Sequence, residues 1–225
     1  MINIASFFKQ KVIEETSSSV NGRIQVVNFL GEPRIIVSGL LQSGGLLEVI
    51  WGKVIKKIIG WPDFSAKSCL ILGLGGGTLA NLINQSFPEV KITGVEIDPE
   101  IIRLAKKYFG VNKISNLKII NTDAIKFINQ EKSPEKFDLI FVDLYLGDKI
   151  PSKTETAIFM SNLKKLLSKS GIIVFNRLFY EQHKKGTEKF VKQLGYYFSN
   201  IELVRVHSNL LVFGSLSYKK TRASS

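Results

Sequence analysis

The sequence predicts an α/β protein with a mostly parallel sheet, a C-terminal antiparallel hairpin and a small β-rich element at the N-terminus. From residue 69 onward, apolar runs of strand length alternate with segments of helical period. The last two runs, 201–206 and 209–216, are joined only by His207 and Ser208. Because two residues are too few for a helical crossover, these runs must form a hairpin, which reverses one strand of an otherwise parallel sheet.

The first 60 residues follow a different sequence pattern. Short alternating segments at 23–29 and 34–37 flank Gly31-Glu32-Pro33 and predict a β-hairpin. A helix is expected at 46–59, after a pair of glycines. We therefore divide the chain into a small β-rich element with a linking helix, a main domain and a polar tail, at residues 1–60, 61–218 and 219–225.

The main domain reads as strands separated by helices. The five strands predicted before the hairpin lie at 69–74, 91–97, 117–122, 137–144 and 171–176. The helices are expected at 76–87, 99–109, 124–130, 156–167 and 181–198, the last broken at Gly186 or Gly195. Asp98-Pro99 supplies an N-cap and a proline at the first helical position. The run FDLIFVDL at 137–144 is apolar almost throughout, as in a strand covered on both faces.

Composition narrows the class of protein. The chain has 225 residues, 44% of them hydrophobic, and no apolar run approaches the roughly 20 residues that span a bilayer. The single cysteine, Cys69, suits a reducing compartment, so we expect a cytoplasmic protein without a membrane partner. His183 and His207 stand alone, with no cysteine or histidine at ligand spacing, so no metal site is predicted.

The net charge of +12 is concentrated in the last third, where residues 151–225 carry 13 lysines and arginines against 4 acids. A basic surface attracts nucleic acid, but a solvated lysine-rich face has the same composition. The charge by itself names no partner.

A cluster of glycines follows the first strand of the main domain. Gly73, Gly75 and Gly77 form a G-x-G-x-G spacing, and Thr78 stands where the dinucleotide fingerprint has its last glycine. The carboxyl end of a strand is where open α/β sheets bind ligands. We expect these glycines to make room for a ligand.

Three acids end the next three strands in order. Glu96 can accept hydrogen bonds from both ribose hydroxyls, Asp123 from an adenine amino group, and Asp143 points at the reacting end of the same cleft. Individually, Glu96 and Asp123 could be helix caps and Asp143 a loop acid. As a series after a glycine loop they favour an adenosyl ligand that needs no phosphate clamp.

These stretches resemble the spermidine synthases and their methyltransferase-like relatives, and the C-terminal hairpin resembles that of class I S-adenosylmethionine-dependent transferases. The segments that carry the resemblance are RIIVSGLLQSGG (34–45), GLGGGTL (73–79), VEIDPEIIRLAKKYF (95–109), NTDA (121–124) and FDLIFVDLY (137–145). It implies a Rossmann-like domain that uses S-adenosylmethionine or its decarboxylated form. The donor contacts would be Gly73, Gly75, Gly77, Glu96, Asp123 and Ala124.

The resemblance also assigns the reacting end of the cleft. In spermidine synthases the aspartate that ends the fourth strand deprotonates and orients the attacking amine, and that position here is Asp143. Tyr145 is expected to line the acceptor pocket or stack on the donor, with a packing aromatic as the alternative. Trp51 is expected to form a lid or, alternatively, to be a core residue of an amphipathic helix.

Several positions depart from the family pattern. The aspartate of the synthase glycine loop becomes Gly75, and the Tyr-Gln or Tyr-His pair after the β domain becomes Trp51-Gly52. An early Tyr-Gln falls on Asn21-Gly22. A second aspartate of the fourth-strand loop falls on Leu146, with Asp148 two residues on. The adenosine-binding acids are kept, whereas the diamine and aminopropyl contacts are largely replaced.

The leading hypothesis is therefore transfer of a methyl group, less readily an aminopropyl group, to a small-molecule acceptor such as an amine. The alternatives are a spermidine synthase proper, an RNA or DNA methyltransferase, and a non-catalytic binder of an adenosyl ligand. Against nucleic-acid methylation, the fourth strand ends in DLYL and lacks the Asn/Asp-Pro-Pro-aromatic signature. The β domain of the resembling family often mediates assembly, which makes a homodimer an option.

Overall fold

The computed structural model describes residues 11–62, 64–129, 135–147 and 149–216. The predicted polar tail at 219–225 and Asp148 lie outside the described residues. Within those ranges, no helix is both long enough and apolar enough to cross a membrane.

The N-terminal element is a four-stranded antiparallel sheet in the order β1-β2-β3-β4. Its strands are β1 (Lys11–Ser18), β2 (Gly22–Phe29), β3 (Glu32–Val37) and β4 (Leu40–Ser43). The predicted hairpin corresponds to β2 and β3. The sequence did not predict β1, which is polar and largely exposed, or β4, which is only 4 residues long.

Helix α1 (Leu46–Ile59) connects this sheet to the main domain and has the predicted bounds. Its apolar face is buried, with Ile50, Trp51, Val54 and Ile58 each at most 1% exposed. These side chains join the core on one face of the main sheet.

The main sheet has seven strands in the order β10-β11-β9-β8-β5-β6-β7. The strands are β5 (Ser68–Leu72), β6 (Lys91–Glu96), β7 (Leu117–Asn121), β8 (Phe137–Val142), β9 (Leu167–Leu178), β10 (Ser199–Val206) and β11 (Asn209–Ser215). Strands β5 to β9 pair in parallel, and β11 is antiparallel to both β9 and β10. The predicted sheet and its C-terminal hairpin are confirmed.

In the described ranges, five further helices join α1 in covering the two faces of this sheet. They are α2 (Thr78–Ser86), α3 (Pro99–Tyr108), α4 (Ala124–Ile128), α5 (Ala157–Leu166) and α6 (Glu181–Leu194). Single helical turns lie at Val111–Lys113 and Ser152–Glu155. The last helix ends at Leu194 with Gly195 as its C-cap, earlier than the predicted residue 198, and Gly186 does not break it. Strand β9 starts before Gly171 because it also pairs with the start of β8.

The N-terminal sheet packs on α3. Apolar side chains of β2 and β3, such as Ile24 and Ile35, are fully buried against Ile101 and Leu104 of that helix. The Asp98 carboxylate caps α3 through the backbone N–H of Glu100, at 2.9 Å, and accepts hydrogen bonds from Ser18 and Asn21. Asp98 is therefore a fully buried link between the sheet and the main domain.

A second polar link lies at the solvent side of this contact. The Glu14 carboxylate on β1 accepts hydrogen bonds from Arg103, from Lys107 at 2.6 Å and from the Tyr108 hydroxyl at 2.5 Å. These hydrogen bonds, led by that of Lys107, lower the pKa of Glu14 to about 2. Because the folded-state pKa is depressed, the link stabilises the fold above the unfolded pKa and is lost as the pH falls towards 2.

We predict that Glu14→Gln lowers the free energy of unfolding at pH 7 by roughly 1 kcal/mol, the upper end of what an exposed ion pair contributes, because Glu14 joins two cations and a hydroxyl. The difference from wild type should shrink between pH 4.5 and 2. Urea unfolding followed by circular dichroism at pH 7 and pH 3 measures both effects. Glu15→Gln is the control, because the partners of Glu15 among the described residues are Arg23 and Gln25, both inside the N-terminal sheet. An equal loss in both variants would contradict the assignment of the link to Glu14.

Candidate functional site

The glycine loop connects β5 to α2 at the carboxyl edge of the sheet. Gly73 and Gly77 have φ angles of 88° and 86°, a conformation that L side chains rarely adopt. A Cβ on Gly73 would lie 2.3 Å from the backbone oxygen of Asp143, and one on Gly77 would lie 2.2 Å from Cγ1 of Val111. At these two positions the absence of a side chain makes room for other segments of the protein, at Asp143 and Val111. The sequence analysis expected this space to be needed for a ligand.

Glu96 ends β6 and is 8% exposed. Its Oε2 accepts a hydrogen bond from the backbone N–H of Gly75 at 2.9 Å, and its Oε1 accepts one from Asp98 at 3.0 Å. Burial raises the pKa of Glu96, and the backbone hydrogen bonds oppose this effect. Because a carboxylate offers about four acceptor positions, each oxygen can still accept a bond from a ligand hydroxyl.

Asp123 follows β7 and caps α4. Its Oδ1 accepts hydrogen bonds from the backbone N–H groups of Ile125 and Lys126, at 2.8 and 3.0 Å. Both Asp123 and Ala124, the first residue of α4, line the central cavity. The helix-cap interpretation is therefore correct for Asp123, and it leaves Oδ2 for a ligand.

Asp143 follows β8 and lies on the cavity wall. Its backbone N–H donates to Leu72, and its Oδ1 accepts from Nδ2 of Asn176 at 2.8 Å. Burial raises the pKa of Asp143 to about 6, aided by the negative charge of Glu96 and opposed by hydrogen bonds from Asn176 and Trp51. At pH 7 this group is mostly a carboxylate.

Two aromatic residues stand beside this carboxylate. Trp51 is 1% exposed, packs edge-to-face on Phe141 and directs its indole at Asp143, so it forms the floor of the cavity and not a lid. The Tyr145 hydroxyl donates to the backbone oxygen of Asn176 at 2.8 Å, which fixes its ring on the cavity wall.

Asn176 and Asn209 are cavity residues that the sequence did not identify. Oδ1 of Asn176 accepts a hydrogen bond from Nδ2 of Asn209 at 2.8 Å. Asn176 lies near the end of the fifth parallel strand, so a polar residue after the apolar run GIIVF was a usable signal. Asn209 begins the reversed strand, and its position becomes evident only from the topology.

All the predicted site residues except Gly77 border one cavity of about 770 Å³, and so do Asn176 and Asn209. The N-terminal sheet and α1 close one side of it, through residues that include Asn21, Gln42 and Ile50. Of the described residues that line it, only Glu96, Asp123 and Asp143 are carboxylates, and only Lys153 is a cation. No three histidine, cysteine, aspartate or glutamate side chains in the described ranges are grouped as metal ligands.

Residues 52–218 match the family described as "Spermine/spermidine synthase domain". The chain is 35% identical over 108 residues to a polyamine aminopropyltransferase of Vibrio vulnificus, covering 48% of this chain and 36% of that protein. It is 31% identical over 116 residues to the eEF1A lysine and N-terminal methyltransferase of Bos taurus, covering 48% of this chain and 17% of that protein. The match thus spans about a third or less of these two relatives. A polyamine aminopropyltransferase of Chromobacterium violaceum is 26% identical over 206 residues, covering 90% of this chain and 76% of that protein.

Solved structures share the fold at low sequence identity. The spermidine synthase of Thermotoga maritima aligns over 94% of this chain and 75% of its own with a TM-score of 0.76 and 15% identity. A spermidine synthase in complex with the transition state analogue AdoDATO aligns over 94% of this chain and 74% of its own, with a TM-score of 0.70 and 17% identity. Human methyltransferase-like protein 13 in complex with SAH aligns over 80% of this chain and 85% of its own, with a TM-score of 0.63 and 21% identity. Proteins of this fold thus include a methyltransferase-like protein that binds SAH and a spermidine synthase that binds the analogue AdoDATO.

We predict that Gly73→Ala lowers the free energy of unfolding by about 2 kcal/mol or more, because the new Cβ meets backbone at a positive φ. Gly186→Ala is the control: it lies inside α6 with nothing within 4 Å of its Cβ position, so the same change should stabilise by about 0.5–1 kcal/mol. Urea unfolding at pH 7 measures both. Equal stability of Gly73→Ala and wild type would show that the loop tolerates a side chain there.

Proposed function

Since the chain belongs to the spermine/spermidine synthase domain family, we propose that it transfers a methyl group from S-adenosylmethionine to an amine nitrogen. The observation that carries this proposal is the placement of carboxylates around the cavity. Among the described lining residues, Glu96 and Asp123 serve the adenosine end, and Asp143 is the single carboxylate left for the acceptor.

The residues at the adenosine end suit an adenosyl donor. A volume of about 770 Å³ is within the usual range for a small-molecule site. Glu96 would hold the ribose hydroxyls and Asp123 the adenine amino group, while Gly73, Gly75 and Ala124 present backbone to the donor. Gly77 does not line the cavity, so it would contribute only through the conformation of the loop. When bound, the donor supplies an electrophilic methyl carbon on a sulfonium, whose sulfur departs as a neutral thioether.

The wall between the glycine loop and the N-terminal sheet favours the complete donor over its decarboxylated form. Asn21, Gln42, Gly75 and Thr78 line the cavity there and carry no charge. The amino-acid tail of S-adenosylmethionine carries one charge of each sign, which neutral polar groups can solvate. The decarboxylated tail carries a cation alone, which is better stabilised by a carboxylate.

The acceptor end favours an amine with one positive charge. Lys153 is the one cation among the described residues of the cavity wall, and its Nζ would repel the far ammonium of a diamine. Tyr145, Thr154 and Asn176 complete this end with neutral polar groups. The relatives of both reaction types are named for amines: polyamines, lysines and N-termini.

Asp143 would serve as the proton acceptor. A primary amine has a pKa of about 10 and is protonated at pH 7, so its nitrogen must lose a proton before its lone pair can attack carbon. The Asp143 carboxylate attracts the ammonium and accepts that proton, and the freed lone pair then forms the new C–N bond. Its pKa of about 6 leaves it mostly ionised at pH 7. This pKa is also closer to the pKa of the amine than that of an ordinary aspartate, which favours proton transfer.

Aminopropyl transfer is the second candidate, favoured by the 35% identity to the Vibrio vulnificus aminopropyltransferase. The same fold and the same base would serve it. The two candidates differ in the donor that the cavity prefers.

We predict that S-adenosylmethionine binds at least tenfold more tightly than decarboxylated S-adenosylmethionine, measured by isothermal titration calorimetry, with methylthioadenosine as the tail-free reference. Glu96→Ala should weaken all three by roughly 10–100-fold, since two ribose hydrogen bonds to a buried carboxylate are lost. Glu89→Ala, an exposed glutamate in the turn before β6, is the control and should bind like wild type. Preference for the decarboxylated donor would select aminopropyl transfer, and no binding by any of the three would overturn the adenosyl site.

We predict that Asp143→Asn lowers the methyl-transfer rate by about 10²–10⁴-fold without changing donor affinity, because general-base assistance is lost. The wild-type rate should fall as the pH drops below about 6, since Asp143 then becomes protonated. A panel of amines with S-adenosylmethionine labelled in its methyl group supplies the assay, and Glu135→Gln, an exposed acid before β8, is the control. A full rate in Asp143→Asn would remove this residue from the reaction.

A further inference from the structure

The reversed strand of the main sheet, β11, brings the side chain of Asn209 to the carboxyl edge of the sheet, where the cavity lies. Parallel strands reach this edge with their last residues, whereas β11 runs the opposite way and reaches it with its first residue, Asn209. Asn209 pairs with Leu178 at the end of β9, and Leu211 pairs with Asn176. The side chains of Asn209 and Asn176 thus meet beside the end of β8.

The side chains of Asn209, Asn176 and Asp143 form a continuous chain of hydrogen bonds. Nδ2 of Asn209 donates to Oδ1 of Asn176, and Nδ2 of Asn176 donates to Oδ1 of Asp143, both at 2.8 Å. A carboxylate can only accept, so Asn176 must present its NH₂ to Asp143 and its oxygen to the other side. The NH₂ of Asn209 satisfies that oxygen. Turning the Asn176 amide over would place oxygen against carboxylate and nitrogen against nitrogen.

Burial makes this arrangement rigid. Asn176 is 4% exposed and Asn209 is 6% exposed, so water cannot readily replace a broken bond. Leaving a polar group unpaired at such a position is costly, because the group loses its bonds to water without a replacement. The backbone oxygen of Asn176 also accepts the Tyr145 hydroxyl, so one residue fixes both the carboxylate and the neighbouring ring.

We propose that Asn176 and Asn209 are positioning residues that orient the Asp143 carboxylate for proton transfer. The inference rests on the proposed function only in giving Asp143 the role of proton acceptor. Asn209 locks the amide of Asn176, and Asn176 in turn holds Oδ1 of Asp143. The Asp143 carboxylate is thereby held in the orientation from which it takes the proton of the acceptor amine.

The pair also sets the charge state of the carboxylate. The other groups that face Asp143 are the Glu96 carboxylate on β6, the Trp51 indole on α1 and the neutral Tyr145 phenol on the following loop. Burial and Glu96 raise the pKa of Asp143, whereas Asn176 and Trp51 lower it. Loss of the Asn176 hydrogen bond should therefore raise that pKa.

The test is a direct titration of the Asp143 carboxyl by ¹³C NMR on the full chain labelled at aspartate Cγ. The sequence contains six aspartates, and the Asp143 signal is identified by its absence in Asp143→Asn. The wild-type midpoint is expected near 6. Asn176→Ala should raise it to roughly 7 or above, since hydrogen bonds to a charged group are worth about 1.5–3 kcal/mol.

Asn209→Ala is the decisive variant. It removes the lock on the Asn176 amide without adding a charge, and Asn209 does not touch Asp143, so a rise in the Asp143 midpoint must come through Asn176. Asn209→Asp should raise the midpoint further, because the new carboxylate competes for the single NH₂ of Asn176 and its charge also disfavours ionisation of Asp143; it keeps the test available if the alanine variant does not fold. Asn162→Ala is the control, because Asn162 bonds to Asn129 on the surface and should leave the midpoint unchanged.

An unchanged Asp143 midpoint in folded Asn209 variants would overturn the positioning role of Asn209, even if Asn176→Ala shifts the midpoint. A rise in both sets, with native-like amide spectra, supports it. The titration needs neither donor nor acceptor, so its outcome is separate from any failure to detect methyl transfer. Where methyl transfer is detected, the lower limb of its pH–rate profile should move upward with the midpoint in the same variants.

Discussion

Parallel pairing of β5 with its two neighbours, β6 and β8, is the constraint on which the site depends. The backbone N–H groups of Gly73 and Leu74 both donate to Val95, and that of Asp143 donates to Leu72. The glycine loop is thereby tied to the strand that ends in Glu96 and to the strand that precedes Asp143. Because the backbone oxygen of Asp143 fills the space beside Gly73, the loop and the proposed base are positioned by one contact. A side chain at residue 73 would disturb both.

The acids of this edge have structural roles beside the ligand contacts proposed for them. Glu96 accepts backbone hydrogen bonds from the glycine loop and from Asp98, and Asp98 in turn links α3 to the N-terminal sheet. Asp123 caps α4. Each carboxylate is held by N–H groups that offset part of its desolvation, so each is fixed before any ligand binds. Such preorganisation reduces the cost of ordering a site on binding.

Much of the fold followed from local pattern, whereas the site followed only in part. Apolar runs alternating with helical segments, and the two-residue link at His207-Ser208, were sufficient to predict the sheet and its reversed strand, because both signals are local. Strand β1 escaped prediction since it is polar and mostly exposed. The acids at the strand ends were found as candidates because they follow apolar runs. The glycines were expected to clear space for a ligand, but the contacts of Gly73 and Gly77 with Asp143 and Val111 join distant parts of the chain and leave no local trace.

The reversed strand connects this topology to the proposed chemistry. A further parallel strand beside β9 would reach the carboxyl edge with its last residue, and the chain would then leave through a loop above the site. A reversed strand enters that edge from a tight turn, so its first side chain is held by sheet hydrogen bonds from the start. Asn209 therefore supplies a rigid donor behind Asn176 without adding a loop over the cavity. The Asp143 carboxylate is then supported from the sheet interior and still borders the cavity in which an acceptor would lie.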